Sequence, residues 1–145
     1  MRNNIIVLLL LLGIIMGGCV KKNDVTPFVG LIQPEEIIVD DNLFLNAPKD
    51  AFKLISVQVT DHYMELEVEY EGGCGDANFK LIGSEEVMES LPPQRAIRLS
   101  LEDSDDCGTL LRKKLRFALN PAQVQEYDEL LLRMQNWNNP LSYKY

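Results

Sequence analysis

Apolar and polar residues alternate strictly from 63 to 71. Met64, Leu66, Val68 and Tyr70 fall on one side; Glu65, Glu67, Glu69 and Glu71 fall on the other. A period of two held this long specifies a half-buried strand, one face on a core and one in water. The same alternation recurs on either side. Over 53–60, Ile55, Val57 and Val59 face inward while Ser56, Gln58 and Thr60 face out, and Asp61-His62 turns the chain into the next strand. Phe79 and Leu81 mark a strand over 77–82; Ile97, Leu99 and Leu101 mark another over 95–102, with Arg98 and Ser100 outward. Over 109–119, Leu111, Leu115, Phe117 and Leu119 share a face with Lys113, and Arg112, Lys114 and Arg116 take the opposite one. Four glutamates on one strand face repel one another. The basic strand is therefore predicted to lie beside the acidic one with interleaved charges. Each opposite-charge pair contributes about 0.2–1 kcal/mol, so the ladder acts mainly on register.

The remaining segments are less regular. A short strand is expected at 28–32. Asp40-Asp41-Asn42 reads as a turn between the short apolar runs 37–39 and 43–45, and Pro48-Lys49-Asp50 as a further break. The polar stretch 83–90, with Glu85, Glu86 and Glu89, reads as a loop or one helical turn ended by Pro92-Pro93. Asn120-Pro121-Ala122-Gln123 offers an N-cap, a proline at the first helical position and a capping-box glutamine, predicting a short helix over 121–126. Leu130, Leu132 and Met134 form a last strand, and Trp137 and Tyr143 fall in an Asn- and Pro-rich tail. Short strands at hairpin spacing with one short helix predict an all-β fold: an antiparallel β-sandwich, Ig-like in style, with a small closed barrel as the alternative.

The amino terminus has a different pattern. Arg2 precedes an apolar run from 5 to 16, broken only by Gly13. A run of about a dozen residues is too short to span a bilayer, which takes about 20, and has the length of a secretory signal core. Gly17-Gly18-Cys19 follows and resembles the lipobox of bacterial lipoproteins. That resemblance implies cleavage before Cys19 and acylation of its sulfur. Two or more acyl chains anchor a protein stably, each buried methylene contributing about 0.8 kcal/mol. The expected organisation is a signal peptide over 1–18, a lipidated tether over 19–27 and one β-rich domain over 28–145. Val20, in place of the aspartate linked to inner-membrane retention in enteric bacteria, favours the outer membrane, facing the periplasm or the surface.

Charge narrows the partners. The net charge of −8 becomes −9 once Arg2 leaves with the signal. So acidic a chain is a poor partner for nucleic acid, which requires clustered Lys and Arg. Anionic headgroups would repel it, leaving membrane attachment to acyl chains on Cys19. Cys74 and Cys107 are an even pair in an oxidising compartment, and a disulfide between them closes a loop of about 34 residues, a stabilisation of roughly 3–4 kcal/mol. The competing reading, a catalytic thiol served by His62, lacks any orienting motif. Gly72, Gly73 and Gly75 around Cys74 suit a tight corner.

Candidate chemistry is sparse. Asp103, Asp105 and Asp106 sit on an acidic turn where carboxylates converge on a hard cation such as calcium. The loop is not an EF-hand, because Cys107 and Lys114 fall where ligands belong. The bland reading is a solvated turn carrying half of the disulfide. The nucleophile-elbow, Cys-x-x-Cys, zincin and P-loop motifs are missing from the sequence, and one histidine rules out a multi-histidine zinc site. A carboxylate pair able to hydrolyse a glycoside remains an alternative among 22 acidic residues. Tyr63 and Trp137 are candidate binding aromatics, against the simpler expectation that Trp137 caps the core.

The lipobox cysteine, Tyr-Glu-Gly-Gly-Cys-Gly at 70–75, Phe79 and Leu81, the Asp-rich turn with Cys107, and Leu-Arg-Phe-Ala-Leu-x-Pro at 115–121 together resemble small uncharacterised lipoproteins of Bacteroidota. The resemblance implies an exported, β-rich, disulfide-bonded lipoprotein and transfers no catalytic residue. The expectation is a membrane-anchored, non-catalytic binding module without a resident cofactor, its partner an envelope protein or glycan. Alternatives are an inhibitor of an envelope or host hydrolase, a calcium-dependent adhesion or glycan-binding unit, and a carboxylate-pair glycosidase.

Overall fold

The alternating segments become strands of two facing sheets. The structure, a computed structural model, describes residues 34–104 and 107–145. Its elements in chain order are β1 (Glu35–Glu36), β2 (Ile38–Val39), α1 (Asp41–Asn46), β3 (Phe52–Thr60), β4 (Tyr63–Gly72), β5 (Ala77–Met88), β6 (Gln94–Asp103), β7 (Thr109–Ala118), a 3-10 turn (Asn120–Ala122), β8 (Glu129–Met134) and β9 (Leu141–Lys144). One sheet has the order β1-β7-β4-β3, the other β2-β5-β6-β8-β9. This is the expected β-sandwich, and it is not a closed barrel. The sheets are mixed rather than purely antiparallel: β1 runs parallel to β7, β2 to β5 and β6 to β8. The β6–β8 pair is parallel because β7 lies in the other sheet and carries the chain back before β8 begins.

The inward halves of the alternations meet between the sheets. Met64, Leu66, Val68 and Phe117 from one sheet pack with Phe79, Leu81, Ile97, Leu99, Leu101, Leu130 and Leu132 from the other. Ile37, between β1 and β2, is buried where the chain steps from sheet to sheet, and its N–H donates to the Ala118 carbonyl at 2.9 Å. Edge-to-face contacts of Phe79 with Tyr70 and Phe52, at 5.3 and 6.1 Å between centroids, fill one end. Lys113, on the inward side of β7, lays its ammonium 5.4 Å from the Phe79 ring centre and covers that end.

The acidic and basic strands are neighbours. Glu65, Glu67 and Glu69 stand opposite Arg116, Lys114 and Arg112 in the β4–β7 register. Arg112 reaches Glu69 at 3.0 Å and Glu67 at 4.0 Å, and Arg116 reaches Glu65 at 3.5 Å. Glu65 also accepts from Gln58 Nε2 at 2.8 Å, extending the polar row to β3. On that edge strand the register shifts between Leu54 and Ser56.

Cys74 and Cys107 form a disulfide with Cα atoms 5.9 Å apart, an ordinary span for the bond. Each cysteine lies on a connection between the sheets, β4 to β5 and β6 to β7. The bond sits between the last pair of one sheet, Gly72–Thr109, and the first of the other, Ala77–Asp103. Gly73 has φ of 118° there, a conformation that side chains disfavour.

Several irregular segments fold differently from their sequence reading. Asp40-Asp41-Asn42 starts a helix instead of closing a turn: Asp40 caps α1 by accepting from the Leu43 N–H at 2.7 Å. The same residue types serve turns and N-caps, so sequence alone does not separate the two. The helix predicted over 121–126 is only the 3-10 turn, with no side-chain cap. The Gln123 amide donates to the Tyr143 hydroxyl at 2.9 Å rather than closing a capping box. Residues 83–88 continue β5 through a register shift between Gly83 and Val87. Their glutamates look loop-like because they point to solvent, while the Arg95 Nη1 donates to the Ser84 and Glu85 carbonyls of the irregularity. The tail forms β9, on which Tyr143 is completely buried. The expected strand at 28–32, like the signal and tether, lies outside the described residues.

Replacing both Cys74 and Cys107 by serine is expected to lower the unfolding free energy by about 3–4 kcal/mol, read from urea unfolding with the slope fitted for each form, because the freed loop expands the unfolded chain and steepens the slope. A loss below about 1 kcal/mol is the result against this account of the corner.

Candidate functional site

The outer face of the five-stranded sheet is covered only in part. α1 packs against β5 and lies over the outward side chains of that strand and of β6. Arg98 and Ser100 point outward on β6, as the alternation requires, yet both are buried because α1 and the segment after it cover them. Arg98 is 3% exposed. Its guanidinium donates to the carbonyls of Phe44 and Ala47 at 2.9 Å and of Pro48 at 2.8 Å. These are carbonyls of the helix C-terminus and the residues after it, which lack intrahelical partners, and a cation there also complements the helix dipole. Ser100 Oγ adds a bond to the Pro48 carbonyl at 2.8 Å. At the other end, Asp41 Oδ1 accepts from Ser84 Oγ and the Glu85 N–H, both at 2.8 Å. The helix is short, but both ends are fastened to the sheet.

Beyond α1 the cover stops and a groove of about 420 Å³ opens toward β8. Ala96 contributes to its lining, and the β6–β8 register places Ala96 beside Arg133. Phe44 and Leu45 form an apolar wall, with Leu45 65% exposed. Met134 and Gln135 form the far rim. The charged side chains lining the groove are Lys49, Arg98 and Arg133. None has a carboxylate partner among the described residues, where the ion pairs involve Arg112 and Arg116. Arg133 Nη1 donates instead to the neutral Gln94 amide at 3.1 Å. Burial lowers the Arg98 pKa, but a guanidinium stays charged in a protein. The arrangement is thus a positive, partly apolar hollow on an acidic molecule.

Sequence reasoning missed this site. Lys49, Arg98 and Arg133 are dispersed along the chain, and the negative total directed attention to cations as ligands. One signal was present: the run Leu43-Phe44-Leu45 on a helix cannot bury every side chain against one surface.

The residues singled out from the sequence fall elsewhere. Cys19, Asp105 and Asp106 lie outside the described residues. The Asp103 N–H donates to Asp50 Oδ2 at 2.8 Å, and no group of three potential metal-binding side chains occurs among the described residues. Tyr63 begins β4, with the Arg116 guanidinium 3.9 Å from its ring centre. Trp137, just after β8, packs against the core. The groove lining includes neither aromatic. His62 lies in the β3–β4 turn, its Nδ1 3.3 Å from the Tyr143 hydroxyl, at the opposite end of β4 from Cys74, which is bound to Cys107. Burial raises the Tyr143 pKa, opposed by the hydrogen bond from Gln123.

No protein-family model matches the chain, and no curated protein matches it significantly. Among solved structures, its fold is similar to that of a DUF1344 protein of unknown function from Bacteroides vulgatus, at 13% identity and a TM-score of 0.50, over 77% of this chain and 56% of that one. It is also similar to a NigD-like immunity protein from Bacteroides caccae, at 12% identity and a TM-score of 0.54, over 77% of this chain and 58% of that one. The chain thus corresponds to a little over half the length of either. At such identity the likeness concerns the fold, and both proteins come from the bacterial group whose lipoproteins the sequence resembles.

Replacing Arg98 by alanine strands the buried Phe44 and Ala47 carbonyls. The expected cost is about 2–4 kcal/mol, with faster hydrogen exchange at the Phe44 and Ala47 amides than at those of β4. Unchanged exchange there is the outcome that separates Arg98 from helix attachment.

Proposed function

We propose that this chain is a membrane-anchored extracytoplasmic lipoprotein whose β-sandwich is a non-catalytic binding module. Acyl chains on Cys19 hold it at the membrane, and the groove between α1 and β8 is its binding face. The observation that carries this reading is the groove itself. It combines an apolar wall, a small residue in its lining and three cations without carboxylate partners, a mixture suited to recognition. The chemistry found elsewhere in the described residues, carboxylates in the β4–β7 ladder and a lone histidine beside Tyr143, already has structural partners.

A second reading, inhibition of another protein, is favoured by the fold likeness to the NigD-like immunity protein of Bacteroides caccae. Immunity proteins of other folds form some of the tightest complexes known. Both readings place function in a binding surface; the second requires the partner to be a protein whose activity is blocked once bound.

Two substitutions test the two halves of the proposal. With Cys19→Ser, the chain is expected to leave the membrane fraction and lose palmitate labelling; retention of both outcomes of the wild type defeats the anchor. Ala96→Tyr obstructs the groove without changing charge. It is expected to abolish crosslinking of the anchored chain to its envelope partner while the melting temperature holds, and undiminished crosslinking rules out this face.

A further inference from the structure

We infer that the groove accepts an acidic peptide segment, its carboxylates directed at Lys49 and Arg133 and an apolar side chain seated on Phe44 and Leu45. This inference rests on reading the groove as the binding face and adds the chemical class of the occupant.

Charge complementarity is the first argument. The molecule carries a net charge of −8, yet the charged lining of this hollow is entirely positive. Elsewhere on the sandwich, Arg112 and Arg116 are paired with Glu65, Glu67 and Glu69. Lys49 and Arg133 are exposed and have no such partner. Arg98 lies beneath, fixed by three carbonyls that hold it in place without cancelling its formal charge. A fixed cation under two exposed ones supplies part of the field with little ordering cost on binding.

The apolar wall narrows the class. Phe44 and Leu45 contribute apolar surface that a free phosphate or a sugar acid would leave uncovered. An extended peptide offers carboxylates and apolar side chains at alternate positions, and can present one set to the cations and the other to the wall. Nucleic acid and other long polyanions are disfavoured because three cations neutralise only a short length of them, and the acidic surface beyond the groove repels the rest. The volume of about 420 Å³ accommodates a few side chains, consistent with a local segment of a larger partner.

The test uses the full chain in non-ionic detergent and three labelled peptides of equal length, alternating Glu-Leu, Gln-Leu and Lys-Leu, followed by fluorescence anisotropy. The Glu-Leu peptide is expected to bind at least about 10-fold more tightly than the Gln-Leu peptide, and to weaken as salt rises from about 50 to 300 mM. The Gln-Leu peptide also reports any partitioning into detergent. The double substitution Lys49→Glu with Arg133→Glu is expected to reverse the preference toward Lys-Leu, and Ala96→Tyr to weaken all groove binding. Equal binding of Glu-Leu and Gln-Leu, or Glu-Leu binding untouched by the charge reversal, overturns the acidic class. Competition by glutarate at the same concentration as the peptide replaces the peptide with a small carboxylate and also overturns the proposal. If envelope crosslinking depends on Ala96 but is not competed by Glu-Leu peptide, the binding face stands and only its assigned ligand falls. If it does not depend on Ala96, the binding face itself falls.

Discussion

Two passages of the chain between the sheets meet at one corner, and the bond between Cys74 and Cys107 holds them together there. The two strands between the cysteines, β5 and β6, form one hairpin within the larger sheet. The bond removes a loop of about 34 residues from the freedom of the unfolded chain, an effect of roughly 3–4 kcal/mol against a typical total of 5–15 kcal/mol. It therefore adds to the stability of the fold in which β6 is held by its pairing with β5 and β8. Arg98 is on β6, and α1 is held by Arg98. The groove depends on the same strand for Ala96. A covalent constraint at one end of the sandwich thus adds to the stability of the sheet on which the groove lies.

The core strands were legible in the sequence for a specific reason. When one face of a strand is buried and the other wet, the period of two is imposed on every residue, and Met64 to Glu71 shows it without exception. The pairing of β4 with β7 was also legible, because four glutamates needed opposite charges and Arg112, Lys114 and Arg116 supplied them at matching spacing. Legibility failed where the partner of a residue lies far away in the chain. Asp40 and Asp41 read as a turn until Ser84 and Arg98 are seen to hold a helix in place. Glu85 and Glu86 read as a loop until β6 is placed beside them. Tyr143 read as tail, because its burial is set by packing and by Gln123 and His62, none adjacent to it in sequence.

The distribution of charge separates two uses of basic residues. On β7 they balance the glutamates of β4 and set register, with little net effect on the field outside. Around the groove they remain without acidic partners. Net charge described the first arrangement well and concealed the second, because an average over the molecule says nothing about where the minority charge collects. The three groove cations come from the segment after α1, from β6 and from β8, so only the folded topology brings them into one lining.

The shift between Leu54 and Ser56 also has a consequence for how copies of the molecule coexist. β3 is the long open edge of its sheet, and straight edges recruit further strands from other chains. Here Ile55 falls out of step with the neighbouring strand, and the exposed Lys53 stands two residues before it. A second molecule laid alongside meets a broken row of donors and acceptors and a repeated positive charge. The irregularity therefore acts against edge-to-edge aggregation and favours separate molecules at high local density.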